Sequence, residues 1–170
     1  MTQVNDSQLI LIAFGANLPS DHGSPELTLL KALDYMNDSG LRLLMRSRFW
    51  RTQPVPISEQ PWFVNGVCAI DTEMEPLALL QRLHQIEAEF GRIRTGLNAP
   101  RVLDLDLIAY GRVTCRIPGG LHCPHPGMSD RAFVLYPLKD IAPNWVHPIT
   151  GETVDEMIAK LPADQIAEAM

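Results

Sequence analysis

Arg101-Val-Leu-Asp-Leu-Asp-Leu-Ile-Ala-Tyr-Gly111 is a dense aliphatic run broken by two carboxylates, and its reading decides the fold. Its length and composition predict a buried strand. Side chains alternate along a strand, so Asp104, Asp106, Ile108 and Tyr110 are expected on one face and Leu103, Leu105, Leu107 and Ala109 on the other. Two acids roughly 7 Å apart on one face repel each other and require cations. Oxygen ligands of this kind suit Mg2+, which takes one or two carboxylates and completes its shell with water and substrate phosphates. Arg92, Arg94 and Arg101 lie in or beside the preceding loop, which places phosphate-binding guanidinium groups in the same neighbourhood. The routine alternative is a half-exposed strand with solvated acids.

Working back toward the start, Leu9 to Phe14 is a continuous aliphatic run ending in Gly15-Ala16-Asn17, a buried strand followed by a tight turn. Ser24-Pro25-Glu26 opens a helix with apolar stripe Leu29, Leu33 and Met36, and Gly40 stops it. From Leu41 to Trp50 the period is two, with Leu41, Leu43, Met45 and Phe49 expected on one buried face. The proline-stiffened loop from Thr52 to Trp62 is too polar for core. Phe63 to Thr72 is strand-like and places Phe63 and Asn65 on one face, an aromatic and a carboxamide suited to a flat heterocycle. Pro76 starts a second helix with stripe Leu79, Leu83, Ile86 and Phe90, on which His84 and Glu87 share a face. The basic, glycine-containing segment Gly91 to Arg101 then delivers its arginines to the acid pair.

The resulting order is strand, helix, strand, strand, helix, strand. It predicts an α+β domain of the ferredoxin-like, split βαβ class, an antiparallel sheet with both helices on one face and a C-terminal extension. One domain is expected over residues 1–170. A short helix is expected from Thr153 to Leu161, with a frayed tail to Met170.

Composition narrows the function. The formal charge of −6 argues against a broad nucleic-acid footprint. Three cysteines make no disulfide framework and fit a reducing cytoplasm, and no apolar run has transmembrane length. Small-molecule substrates are therefore expected, with neither nucleic acid nor membrane as partner, for a monomer. Cys115, His122, Cys123 and His125 also invite a zinc reading, although their spacing matches no common finger.

With those residues laid out, the chain resembles the 6-hydroxymethyl-7,8-dihydropterin pyrophosphokinase family. The resemblance runs through Phe14-Gly-Ala-Asn-Leu18, Arg51-Thr52, Gln60-Pro-Trp-Phe-Val-Asn65, Ile86-Glu87, Gly91-Arg-Ile-Arg94, Pro100-Arg-Val-Leu-Asp-Leu-Asp106, Pro124-His125 and Arg131-Ala-Phe-Val-Leu-Tyr-Pro-Leu138. It implies transfer of pyrophosphate from ATP to the pterin hydroxymethyl group, giving AMP and the pterin diphosphate in folate biosynthesis. It also implies Asp104 and Asp106 as ligands of two Mg2+ ions, and Arg92 and Arg101 as catalytic arginines. Arg94, Leu107, His125 and Arg131 fall at ATP-contact positions, and Phe63, Asn65 and Phe133 at the pterin site. Thr52 and Val55 fall where the family's loop main chain meets the pterin. Leu97-Asn98-Ala99, His84 and Gly127 depart from the family pattern, which motivates one alternative, a catalytically silent paralogue that still binds pterin or nucleotide.

Overall fold

The computed structural model describes residues 5–91 and 100–170. Arg92, Arg94 and the Leu97-Asn98-Ala99 departure lie outside the described residues. Strand β1 (Ile10–Ala16) is buried along nearly its whole length, as a continuous aliphatic run requires. Helix α1 (Pro25–Asp38) begins with the Ser24 side chain accepting from the Leu27 N–H and ends before Gly40, whose φ of 88° favours glycine. Strands β2 (Arg42–Arg46), β3 (Trp50–Thr52) and β4 (Phe63–Asp71) follow, then α2 (Pro76–Glu89) and β5 (Asp104–Tyr110). A two-residue hairpin, β6 (Cys115–Arg116) and β7 (His122–Cys123), leads to α3 (Ala132–Ile141), α4 (Val154–Ala159) and a last strand, β8 (Ala167–Ala169).

The main sheet runs β5-β1-β4-β3-β8, with β2 also paired to β4, and every pairing is antiparallel. Both of its faces are covered. Ile12, Phe14, Leu103, Leu105 and Leu107 pack on one side against Leu29, Leu33 and Met36 of α1 and Leu79, Leu83 and Ile86 of α2. Leu11, Ala13, Val67 and Ala69 pack on the other against Val134, Leu135 and Leu138 of α3, with Val154, Met157 and Trp145. Asp140 ties α3 to the sheet edge by accepting from the Arg48 guanidinium at 2.8 Å and from Trp50 Nε1 at 2.9 Å. The Arg48 guanidinium holds the Asp140 carboxyl below its usual range, although burial alone would raise it.

Four expectations need correction. The segment from Leu41 to Trp50 is two strands, because Ser47 interrupts it: Ser47 Oγ accepts from the Val67 N–H at 3.0 Å and donates to the Arg48 carbonyl at 2.6 Å. The register also shifts between Leu43 and Met45, so Leu43 packs toward α1 and α2 while Met45 packs toward α3. A similar shift in β5 leaves Ile108 without a β1 partner; Ala109 joins Ile108 on the α3 side and Tyr110 turns to the α1 side. Finally, the tail is not frayed, since residues 167–169 pair with β3. The closing helix does form, with a complete capping box between Thr153 and Glu156.

Ser47 is 2 % exposed, so removing its hydroxyl strands the Val67 N–H between two covered faces. Ser47→Ala should cost about 1–3 kcal/mol of stability, read as a lowered urea midpoint. An unchanged midpoint would show that the interruption is set by something else.

Candidate active site

The packing of β5 sets the geometry of the site. Leu103, Leu105 and Leu107 point into the core beneath α1 and α2, which turns Asp104 and Asp106 to the opposite side. There both acids line a cavity of about 140 Å3 with Arg101, Arg131, Phe63, Asn65, Phe133 and Val55. Gln53, Pro54 and Gln60 complete its wall. Arg101 donates to Asp104 at 3.0 Å, and both side chains are only about a quarter exposed or less. Such a partly desolvated charge-assisted bond is stronger than a surface pair.

Three chain segments meet here because Asn17, just past β1, bonds to two of them. Its Oδ1 accepts from the Arg101 N–H at 2.8 Å, and its Nδ2 donates to Gln60 Oε1 and to the Pro61 carbonyl, both at 2.9 Å. The Asn17 and Leu18 N–H groups in turn donate to the Arg101 carbonyl. Asn17 is 2 % exposed, so these bonds are shielded from water. A second buried polar group, Glu87 of α2, accepts from the Leu105 N–H at 2.9 Å, at the residue between the two acids. Its helix neighbour His84 is exposed.

The aromatic and amide part of the wall is equally constrained. Asn65 donates to Thr52 Oγ1 at 2.5 Å, so buried Thr52 lies behind Asn65 and orients its amide. Gly15 leaves the room: a Cβ there would stand 2.2 Å from Asn65 Oδ1. Across the cavity, the Arg131 guanidinium lies 5.5 Å from the Phe133 ring centre, within cation–π range. Gly127 permits this placement, since a Cβ there would meet the Arg131 guanidinium carbon at 3.0 Å.

Of the residues singled out from sequence, Asp104, Asp106, Arg101, Arg131, Phe63, Asn65, Phe133 and Val55 converge on the cavity. Thr52 does so only through Asn65. The Leu107 side chain is 3 % exposed and packed in the core on the far side of β5. His125 Nδ1 accepts from the Gly127 N–H at 3.0 Å, which leaves its proton on Nε2, and its own N–H bonds the Ile108 carbonyl at the β5 irregularity. Asn17, Gln53 and Gln60 were missed as site residues. Their signals were position at a turn and in a proline-rich loop and, for Asn17 and Gln60, a place within stretches that carry the family resemblance.

The donor set suits a hard dication. Two carboxylates face the cavity without a soft ligand beside them. Among the described residues no group of three or more His, Cys, Asp or Glu side chains is arranged to hold a metal ion. A dication at Asp104 and Asp106 would therefore complete its shell from water or bound phosphate. The same observation removes support from a zinc site at Cys115, His122, Cys123 and His125.

Burial, with the Arg131 cation next in effect, pushes the His125 imidazole down to about 4, while Asp104 pulls the other way. The folded value lies below the ordinary 6.5, so between pH 4 and 6.5 the unfolded chain binds more protons. The stability contribution is complete above pH 6.5 and is lost as pH falls toward 4. NMR titration of the free protein should give a His125 midpoint near 4; a midpoint near 6.5 would mean the ring is not sequestered.

The family model described as 7,8-dihydro-6-hydroxymethylpterin-pyrophosphokinase (HPPK) matches residues 11–143. The 2-amino-4-hydroxy-6-hydroxymethyldihydropteridine pyrophosphokinase of Pseudomonas aeruginosa is 39% identical over 160 residues, which cover 94% of this chain and 95% of that protein. The enzyme of the same name from Methylorubrum extorquens is 41% identical over 145 residues, covering 85% and 90% of the two chains. The folic acid synthesis protein fol1 of Schizosaccharomyces pombe is 38% identical over 160 residues, and there this chain spans only 21% of the relative's length. In three dimensions, the Plasmodium falciparum HPPK-DHPS crystallised with pteroate aligns at a TM-score of 0.68 and 13% identity, over 94% of this chain and 43% of that one. That last likeness is one of fold. Coverage of nearly the whole chain at close to 40% identity, together with the family model, settles the membership: the chain belongs to the 7,8-dihydro-6-hydroxymethylpterin-pyrophosphokinase family.

Proposed function

We propose that this protein transfers pyrophosphate from ATP to 6-hydroxymethyl-7,8-dihydropterin, releasing AMP. One observation carries the reading: an acid pair, two arginines, two phenylalanines and a carboxamide line a single cavity. Phe63 and Phe133 offer apolar faces to a flat bicycle, and Asn65 offers donor and acceptor to its edge. Arg101 and Arg131 supply fixed positive charge toward the acid end, where a triphosphate would lie.

In this reading the pterin hydroxyl oxygen attacks the β-phosphorus of ATP in line. A bond forms from that oxygen to Pβ, the bond from Pβ to the bridging α,β oxygen breaks, and AMP departs with the bridging oxygen. The hydroxyl proton passes to solvent water, and no protein nucleophile is needed. Asp104 and Asp106 would hold Mg2+, with two ions proposed, which when bound neutralises phosphate charge and lowers the pKa of the attacking hydroxyl. Arg101 balances charge on the transferred group while paired to Asp104, Arg92 is proposed to do so from the preceding loop, and Arg94 of that loop is proposed to contact ATP. His125, neutral through Nε2–H, would donate to a phosphate oxygen. Burial of the Leu107 side chain leaves its main chain, on edge strand β5, to meet the adenine. Val55 and the main chain near Thr52 are proposed to border the pterin.

The strand order β5-β1-β4 followed by β2 and β3, with α1 and α2 on one face, supports assigning the core to the ferredoxin-like class. No described helix is long and apolar enough to cross a membrane.

A coupled assay with ATP, Mg2+ and hydroxymethyldihydropterin tests the reaction by release of AMP. Asp106→Ala should lower turnover roughly a hundredfold or more, the loss of several kcal/mol at a metal ligand. AMP release within a few-fold of the parent would overturn the role of Asp106, and tight pterin binding without AMP release by the parent would mark a silent binding protein. Gly15→Ala, which drives a methyl group into Asn65, should raise the pterin KM roughly tenfold and leave the ATP KM nearly unchanged. An equal rise in both KM values would mean the substitution disturbs the fold rather than the amide.

A further inference from the structure

The C-terminal segment buries little apolar surface, yet its polar contacts reach two walls of the cavity. Of residues 165–170, Ile166, Glu168, Ala169 and Met170 are exposed and the other two are only partly buried. Gln165 Oε1 accepts from the Ala132 N–H at 2.8 Å, and Gln165 Nε2 donates to the Asp130 carbonyl at 2.7 Å. Ala132 is the first residue of α3 and stands between Arg131 and Phe133, which both line the cavity. Arg131, the residue preceding that helix, supplies no side-chain cap. Gln165 therefore satisfies a first-turn donor that would otherwise rely on water, from 33 residues away.

The next residue grips the other wall. The Ile166 carbonyl accepts from the Gln53 N–H at 3.2 Å, and β8 pairs Ala167 with Thr52, the residue that orients Asn65. The match to the family model ends at residue 143, so this strap lies outside the matched residues.

We propose that residues 165–167 are a positioning element for the pterin half of the site, with Gln165 as its positioning residue. Gln165 sets the start of α3, and with it the Phe133 ring; Ile166 and Ala167 hold the Thr52–Gln53 segment opposite. The inference rests on the pterin reading above. Covering the β3 edge against association is a rival purpose for β8. That purpose would need the strand pairing but not the Gln165 side-chain bonds.

The experiment compares Gln165→Ala, Gln165→Glu and a chain ending at Asp164. Steady-state AMP release gives KM for each substrate, calorimetry gives pterin affinity, and thermal unfolding reports stability. Gln165→Ala, which removes two neutral hydrogen bonds, should raise the pterin KM about three- to tenfold, with a smaller effect on the ATP KM and an unfolding midpoint within a few degrees of the parent. Gln165→Glu, which keeps the acceptor for Ala132 but sets a carboxylate oxygen against the Asp130 carbonyl, should recover part of the pterin affinity. The shortened chain should be worse than Gln165→Ala, because it also frees Gln53. An unchanged pterin KM and affinity in Gln165→Ala would overturn the proposal. So would equal losses for both substrates that follow a lowered unfolding midpoint, or no recovery with Gln165→Glu. If the parent releases no AMP, the functional reading fails on its own, and calorimetric pterin affinity across the three variants still decides the positioning role.

Discussion

The site depends on the burial of one face of β5. Leu103, Leu105 and Leu107 are each at most 3 % exposed, and each contributes roughly 1.5–3 kcal/mol by leaving water. Side chains alternate, so that packing sends Asp104 and Asp106 to the other face. A one-residue slip would expose three leucines and drive two carboxylates under the helices. The acids are thus placed by the core, without needing hydrogen bonds of their own to choose the face. Glu87 reinforces the arrangement from α2 by taking the Leu105 N–H, so the helix that covers the leucines also bonds the strand between the acids.

From that fixed strand the remaining walls are added by polar contacts at long sequence separation. Asn17 joins the turn after β1 to Arg101 and to the Gln60–Pro61 loop. Thr52 orients Asn65, and Gly15 leaves space for it. Electrostatically the cavity is close to balanced, with Asp104 and Asp106 against Arg101 and Arg131, while His125 is kept neutral by burial and the nearby arginine. A metal-bound triphosphate adds cations beside the acids and anions beside the arginines, so each charge type meets its complement.

Much of this was legible in the sequence because it follows from periodicity. The Ser24-Pro25 and Pro76 helix starts, the buried β1 run and the acid face of β5 require only the alternation of side chains and the needs of a helix end. What periodicity could not give was the phase after an irregularity. Leu44 and Ile108 each add a residue that shifts the register, so Met45 and Tyr110 face opposite to a strict two-residue reading. Nor could it reveal Ser47, whose hydroxyl substitutes for a strand hydrogen bond, or Asn17 and Gln165, whose partners lie 84 and 33 residues away. A polar residue in a loop looks the same in sequence whether it meets water or caps a helix. The tail was misread for that reason: its composition is that of a solvated end, and only the open edge of β3 makes it a strand.

These two modes of construction divide the site by mechanical character. The acid end sits on a strand held by core packing, where displacement costs several buried side chains at once. The aromatic and amide groups also stand on packed elements, Phe63 and Asn65 on β4 and Phe133 on α3, whereas the loop carrying Gln53, Val55 and Gln60 is held by hydrogen bonds from Asn17 and the Ile166 carbonyl, each bond worth about 1 kcal/mol net. Local opening follows the weaker set, so the loop wall that carries Gln53, Val55 and Gln60 yields before the strand that carries Asp104 and Asp106. For phosphoryl-type transfer this is a workable division. The charges that stabilise the transition state must be preorganised, since reorganising them during reaction would cost rate, whereas a wall that admits a flat heterocycle must open and close around it.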